Sequence, residues 1–162
     1  MLIGFMGAGK SAVGRELARQ TNLARHDTDE MIRERFGISI PEIFAQHGEE
    51  TFRDAETDAL RGLQGQSNLI LVTGGGIVMR EENVRLLRSM GTTMWLDAPE
   101  EILWERASRR QNRPLLQTAD PRAKFTSLLR ARLPFYQSAA DRRVDTAGAS
   151  IADVAAEIAS LL

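Results

Sequence analysis

A chain of 162 residues fits one compact domain with room for a real core. Its formal charge of −1 and pI near 6.2 give no electrostatic reason to expect nucleic acid or membrane partners. No run approaches the roughly 20 apolar residues that span a bilayer, there is no basic-then-apolar leader, and the lack of cysteine excludes disulfides and thiolate metal sites, all of which fits a cytoplasmic protein.

The first predicted strand, Met1–Phe5, runs into Gly4-Phe5-Met6-Gly7-Ala8-Gly9-Lys10-Ser11, a match to G-x-x-x-x-G-K-[ST] that leads into a predicted helix over 10–20. Glycines at these spacings let backbone N–H groups of Gly7, Ala8, Gly9 and Ala12 point at phosphate oxygens, and the helix that follows adds its positive N-terminus. Lys10 would reach the β- and γ-phosphates and the Ser11 hydroxyl would ligate Mg²⁺. Of 21 basic residues only Lys10 and Lys124 are lysines, so Lys10 stands out while any single arginine starts as a weak candidate. The chain is expected to bind a nucleoside triphosphate. The strand ahead of the loop is short, since Met1-Leu2-Ile3 leads straight into it, which is expected to weaken a sheet edge.

The second strand, Leu23–Asp27, ends in Asp27-Thr28-Asp29-Glu30. Acids there suit the first turn of a helix, but residues two apart leaving a strand can also face different parts of one cleft. A helix follows over 49–64, then the strand Leu69–Thr73, which exits into Gly74-Gly75-Gly76 with no acid. A P-loop protein needs a carboxylate near its magnesium, so its absence there turns attention to Asp27 and Asp29. Three consecutive glycines cost chain entropy unless something must approach closely. After a helix over 80–90 and the strand Thr92–Asp97, the sequence Asp97-Ala98-Pro99 reads as a strand exit and helix cap for a helix over 99–110. Arg109–Ala123 is polar and holds two prolines, which suggests a lid. A helix over 121–133 and a weaker strand, Arg143–Asp145, complete the chain. Short buried strands alternating with helices, without internal repeats, predict an α/β fold with a parallel sheet whose ligands sit at the carboxyl ends of the strands.

Seven stretches in order, GFMGAGKS, DTDEMI, GISIPEIF, GEETFRDAE, TGGGIV, RPLL and RARLPFY, resemble the shikimate kinases over nearly the whole chain. The resemblance implies transfer of the ATP γ-phosphate to the 3-hydroxyl of shikimate, on the route to chorismate and the aromatic amino acids. It implies a P-loop, nucleoside-monophosphate-kinase-like three-layer sandwich with a five-stranded parallel sheet, as one domain over 1–162. The lid would lie over about 109–123 and the substrate-binding helices over about 28–64. Carried over, Asp29 resembles the shikimate-contacting base and Asp27 the acid that meets magnesium through water. Arg53 and Arg132 resemble the pair that holds the substrate carboxylate, Gly75 and Gly76 the backbone contacts, and Phe44 and Phe52 the pocket wall. Arg113 of RPLL resembles the lid arginine over the phosphates, and Arg109 or Arg110 would contact adenine. A monomer is expected.

Several of these residues keep simpler explanations. Arg53 could only pair with Glu56 one turn on, and Arg132 could lie on the solvated face of its helix. Ala12 replaces a hydroxyl usual after the P-loop serine, which removes one nucleotide contact. His26 and His47 fit no role and are assigned to structure. A kinase for another acceptor such as gluconate would not need FR-x-x-E and RPLL together. A non-catalytic sensor on this fold would be expected to have lost Lys10, Asp29 or Arg113.

Overall fold

The computed structural model describes residues 1–109 and 114–162. Five parallel strands form one sheet: β1 (Leu2–Ile3), β2 (Ala24–Asp27), β3 (Leu69–Val72), β4 (Met94–Asp97) and β5 (Arg142–Asp145) in the order β2-β3-β1-β4-β5. The helices are α1 (Lys10–Thr21), α2 (Thr28–Phe36), α3 (Ile40–Gly62), α4 (Glu81–Met90), α5 (Glu100–Ser108), α6 (Pro121–Ala139) and α7 (Ile151–Ala159). Parallel strands need crossover connections, and the alternation of β and α supplies them. Helix α1 packs on α7 and on the sheet, while α3, α4 and α6 are linked through the short 3-10 turn Ile77–Met79.

Two expectations change. The short β1 is not at an edge; it is the central strand, paired with both β3 and β4 and almost wholly buried. Two residues suffice because their neighbours hold them on both sides and Thr73 adds a side-chain bond to the Leu2 carbonyl. Helix α6 continues through Pro134 to Ala139 rather than stopping before it. A proline removes one i→i−4 bond, but Tyr136 and Ala139 beyond it are buried, and that burial outweighs the loss.

The burial pattern divides the molecule. One large core spans the sheet and its helices, from Phe5 and Leu17 to Leu103, Phe125 and Tyr136. A small separate cluster, Ile32, Ile43, Phe52 and Ala55 with Phe36, Ile38, Ile40 and Phe44 against it, belongs to α2 and α3 alone. Helix α3 starts with a Ser39–Glu42 capping box and bends at Gly48, whose φ of 81 breaks the helical geometry. The half beyond the bend carries Phe52, Arg53 and Glu56, all buried.

Candidate active site

Two adjoining cavities lie at the carboxyl ends of the strands, one of about 500 Å³ and one of about 250 Å³. Met6, Ser11, Asp29 and Gly75 line both, so the two form one cleft that narrows at these residues. The smaller is the phosphate cradle, with Gly7, Gly9, Lys10 and Ala12 on its walls. Gly7 adopts φ +88, and a Cβ there would fall 2.2 Å from the Leu103 carbonyl oxygen, so only glycine fits the turn. Gly9, at φ 87, caps α1 from the left-handed region. Lys10 Nζ donates to the Gly4 and Phe5 carbonyls at 2.7 and 3.2 Å, which folds its ammonium back over the loop.

The turn after β2 supplies the acids. Asp27 is buried; its Oδ1 accepts the Asp29 N–H at 3.0 Å and so caps α2, while its Oδ2 faces the Ser11 hydroxyl at 3.4 Å and the Arg25 guanidinium at 3.3 Å. Capping by one oxygen and an approach to Ser11 by the other therefore coexist on one carboxylate. Asp29 points the other way. Among the described residues its Oδ1 is buried without a hydrogen-bond partner, and burial, reinforced by the negative charge of Asp27, lifts its carboxyl above the ordinary 3.8 against the pull of Lys10, Arg33 and Arg53. Glu30, the third acid, is a first-turn residue tied to Arg25.

The larger cavity is lined by charged side chains from four parts of the chain. Arg53 donates to Glu56 at 2.6 Å and to Glu49 at 2.8 Å, and Glu56 is 0% exposed. Pairing with Glu56 is thus real but does not exhaust Arg53, whose guanidinium also lines the cavity. Arg132 is 6% exposed, not on a solvated face, and donates to the Gly75 carbonyl at 3.2 Å. Phe44 and Phe52 meet at a centroid distance of 4.8 Å on the cavity wall.

The glycine triplet is required mainly by the protein's own side chains. A Cβ on Gly74 would lie 2.6 Å from Glu56 Oε1 and 2.8 Å from Asp29 Oδ1; one on Gly76 would lie 2.2 Å from Arg53 Nη1. Gly75 has ordinary clearance, and its contribution is its carbonyl, which accepts from Arg132 and Tyr136. The Gly74 N–H donates to Thr28 Oγ1 at 3.0 Å, which fixes the triplet to the Asp27–Asp29 turn.

Some residues here were not predicted. Tyr136, the chain's one tyrosine, is fully buried, stacked on Trp95 and bonded to Gly75; burial pushes its phenol up, so it stays a neutral donor. Its only signal was its place at the end of RARLPFY. Arg106 lines the phosphate cavity and is held by the Thr146 hydroxyl and carbonyl at 2.9 and 2.8 Å. Among 19 arginines it carried no signal at all. Arg109 instead pairs with Glu105 on an exposed surface and lines neither cavity. Arg110 and Arg113 lie outside the described residues. Leu115, in the segment expected to be a lid, lines the larger cavity, and that segment contains a 3-10 turn, Pro114–Leu116. Asp97 ends β4 as expected but does not cap α5; its carboxylate takes Arg143 of β5, a neighbour in the sheet that the sequence did not reveal. His47 packs on Phe36, a structural contact.

Comparison with known proteins fits this cleft. The family model for shikimate kinase matches residues 6–162. A shikimate kinase of Cupriavidus pinatubonensis is 45% identical over 94% of this chain and 80% of its own length, and one of Chromobacterium violaceum is 48% identical over 90% and 79%. A shikimate kinase from Acinetobacter baumannii, solved in complex with shikimate, superposes with a TM-score of 0.93 at 38% identity, covering 99% of this chain and 89% of that one.

Proposed function

The chain belongs to the shikimate kinase family and transfers the γ-phosphate of ATP to the 3-hydroxyl of shikimate, and on that premise we propose how its residues divide the reaction. The observation that carries the division is the shared wall: Asp29 and Ser11 border both the phosphate cavity and the acceptor cavity. A group bound on each side would meet there, and phosphoryl transfer is mainly a matter of such positioning with charge stabilisation.

In the acceptor cavity Arg53 and Arg132 hold the shikimate carboxylate, since two forked guanidiniums match a planar anion. The apolar ring edge rests on Phe44 and Phe52, and the Gly75–Gly76 backbone lets the ring sit close. The 3-hydroxyl then faces Asp29, whose unpartnered Oδ1 accepts its proton as the oxygen attacks phosphorus. On the other side the backbone of Gly7, Ala8, Gly9, Ser11 and Ala12 binds the phosphates, and Lys10 leaves the loop carbonyls to reach the γ-phosphate. Arg113 closes over the transferring group. Arg106, anchored by Thr146 on the cavity wall, is better placed than Arg109 to flank the nucleotide base.

Ser11 and Asp27 present two hard oxygens to each other at 3.4 Å, a donor set that suits Mg²⁺ held by few protein groups, phosphates and water. No cluster of three acids or histidines competes for a metal among the described residues. When bound, Mg²⁺ neutralises charge developing on the phosphates. The same reading has the protein act as a cytoplasmic monomer with ATP and shikimate as its partners, without nucleic acid or membrane; among the described residues no helix is long and apolar enough to cross a bilayer.

The purified protein incubated with ATP, Mg²⁺ and shikimate should release ADP in step with shikimate 3-phosphate. Turnover with gluconate or a nucleotide in place of shikimate would sink the assignment of the acceptor.

A further inference from the structure

The acceptor cavity, at about 500 Å³, extends well beyond the floor formed by Arg53, Arg132 and Asp29. Its mouth carries two more arginines, Arg15 of α1 and Arg33 of α2, both solvent-exposed. Elsewhere on the surface many exposed arginines are neutralised by acids: Arg19 by Glu16, Arg61 by Asp58 and Glu82, Arg85 by Glu81. Among the described residues Arg15 and Arg33 form no ion pair with an acid, and the hydrogen bond that Arg33 makes goes to the Asp29 backbone carbonyl at 3.3 Å. Of the acids nearby, Asp29 feels the charges of Lys10, Arg33 and Arg53 without forming an ion pair, and the others are already answered. Glu30, on the same wall, is bound by Arg25, which also pairs with Asp27, and Glu56 is bound by Arg53.

Two guanidiniums without an ion pair among the described residues therefore stand at the entrance to a cavity whose ligand is an anion. We propose that Arg15 and Arg33 form an outer capture subsite, which takes the carboxylate of incoming shikimate before Arg53 and Arg132 bind it at the floor. The proposal rests on the shikimate kinase reading and adds the entry step to it. The physical effect is focusing: like-signed charges at the mouth of a cleft raise the local concentration of an oppositely charged ligand and its rate of entry, and salt screens them because they are exposed.

The test compares the parent with Arg15→Gln, Arg33→Gln and the double variant, measuring kcat and kcat/KM for shikimate at saturating ATP from about 20 to about 500 mM salt, a range over which the Debye length falls severalfold. Arg85→Gln, which loses the same one charge as each single variant but away from the cavity, is the control. The double variant is expected to lose roughly 3- to 10-fold in kcat/KM for shikimate at low salt, with the KM for ATP unchanged and its salt dependence flattened, and Arg15→Gln, which does not touch Asp29, is expected to keep its kcat. Replacing both residues by lysine should restore the parent behaviour. The proposal is overturned by an unchanged kcat/KM and salt profile, by an equal loss in Arg85→Gln, by a shift in the KM for ATP instead, or by a fall in kcat in Arg15→Gln. A parent that phosphorylates no shikimate would remove the underlying reading itself, and that result is distinct from an active parent with unaffected variants.

Discussion

The two halves of the cleft are built by opposite means. The phosphate cradle is drawn mainly from one continuous stretch, residues 4–12, whose backbone is proposed to bind and whose turn is braced by the main core through Leu96 and Leu103. The acceptor half gathers side chains from the β2–α2 turn, α3, the glycine triplet and α6, and rests partly on the separate cluster of α2 and α3. Backbone recognition is local and tolerant of the side chains around it. Side-chain recognition depends on buried charges that must be brought together and kept paired, which is costly when any partner is lost. The acceptor half should therefore be the more fragile of the two.

The largest test of that contrast is Asp29→Asn. Loss of the base should lower kcat on the order of 10³-fold, while the protein binds shikimate and ATP in calorimetric titrations. Its stability should move the other way. The Asp29 carboxyl is raised in the folded state by burial and by Asp27, so the unfolded chain ionises it more readily and folding stability falls as pH rises from 3.8 through the folded value. At neutral pH the asparagine variant should melt higher than its parent, and the gain should vanish in acid. A variant that is inactive and melts lower would refute this account. The same raised carboxyl should place the acid limb of kcat/KM in the parent above the ordinary carboxylate range, because the free enzyme's base must be ionised to act.

Next in size is Glu56→Ala, which leaves Arg53 buried without its closest partner. A cost of about 3 kcal/mol is expected, seen as a fall in melting temperature of roughly 10 °C, with weakened shikimate binding and unaltered nucleotide binding. Gly74→Ala probes the close approach of backbone to the two carboxylates. It should raise the KM for shikimate roughly 10-fold, on the scale of about 1.4 kcal/mol, with a small change in stability, because the atoms it meets are side-chain ends that can shift. The smallest effect belongs to the other half: Arg106→Ala should raise the KM for ATP by roughly 3- to 5-fold, the value of one partly exposed contact, and leave that for shikimate alone. If Arg109→Ala has the larger effect, the placement of the base is wrong.

The elements were legible in proportion to how local their causes are. The strands after the first and α1 follow from apolar runs and a glycine-rich turn, and they fall within a few residues of expectation. Helix α3 was read only from 49, because Gly48 hides the continuity of two helical halves across a bend. The end of α6 was missed because Pro134 suggests a stop, and the burial of Tyr136 that overrides it is a tertiary fact. The same holds for Arg106, which nothing in the surrounding sequence distinguishes from eighteen other arginines; a cavity wall and Thr146, forty residues away, give it its position.

What the sequence determined alone was chemistry fixed by spacing: the phosphate loop with its lysine, an acid-bearing turn after β2, and the motif order that resembles one kinase family. Those depend on neighbours along the chain, whose geometry φ, ψ and residue type already limit. The tertiary structure decided which oxygen of Asp27 caps and which faces Ser11, why Asp29 keeps an unpartnered oxygen, and that the glycine triplet makes room for Glu56, Asp29 and Arg53. Apart from the local cap itself, these turn on groups far apart in the chain meeting in a space with little water, where burial and pairing set the energies and sequence distance sets nothing.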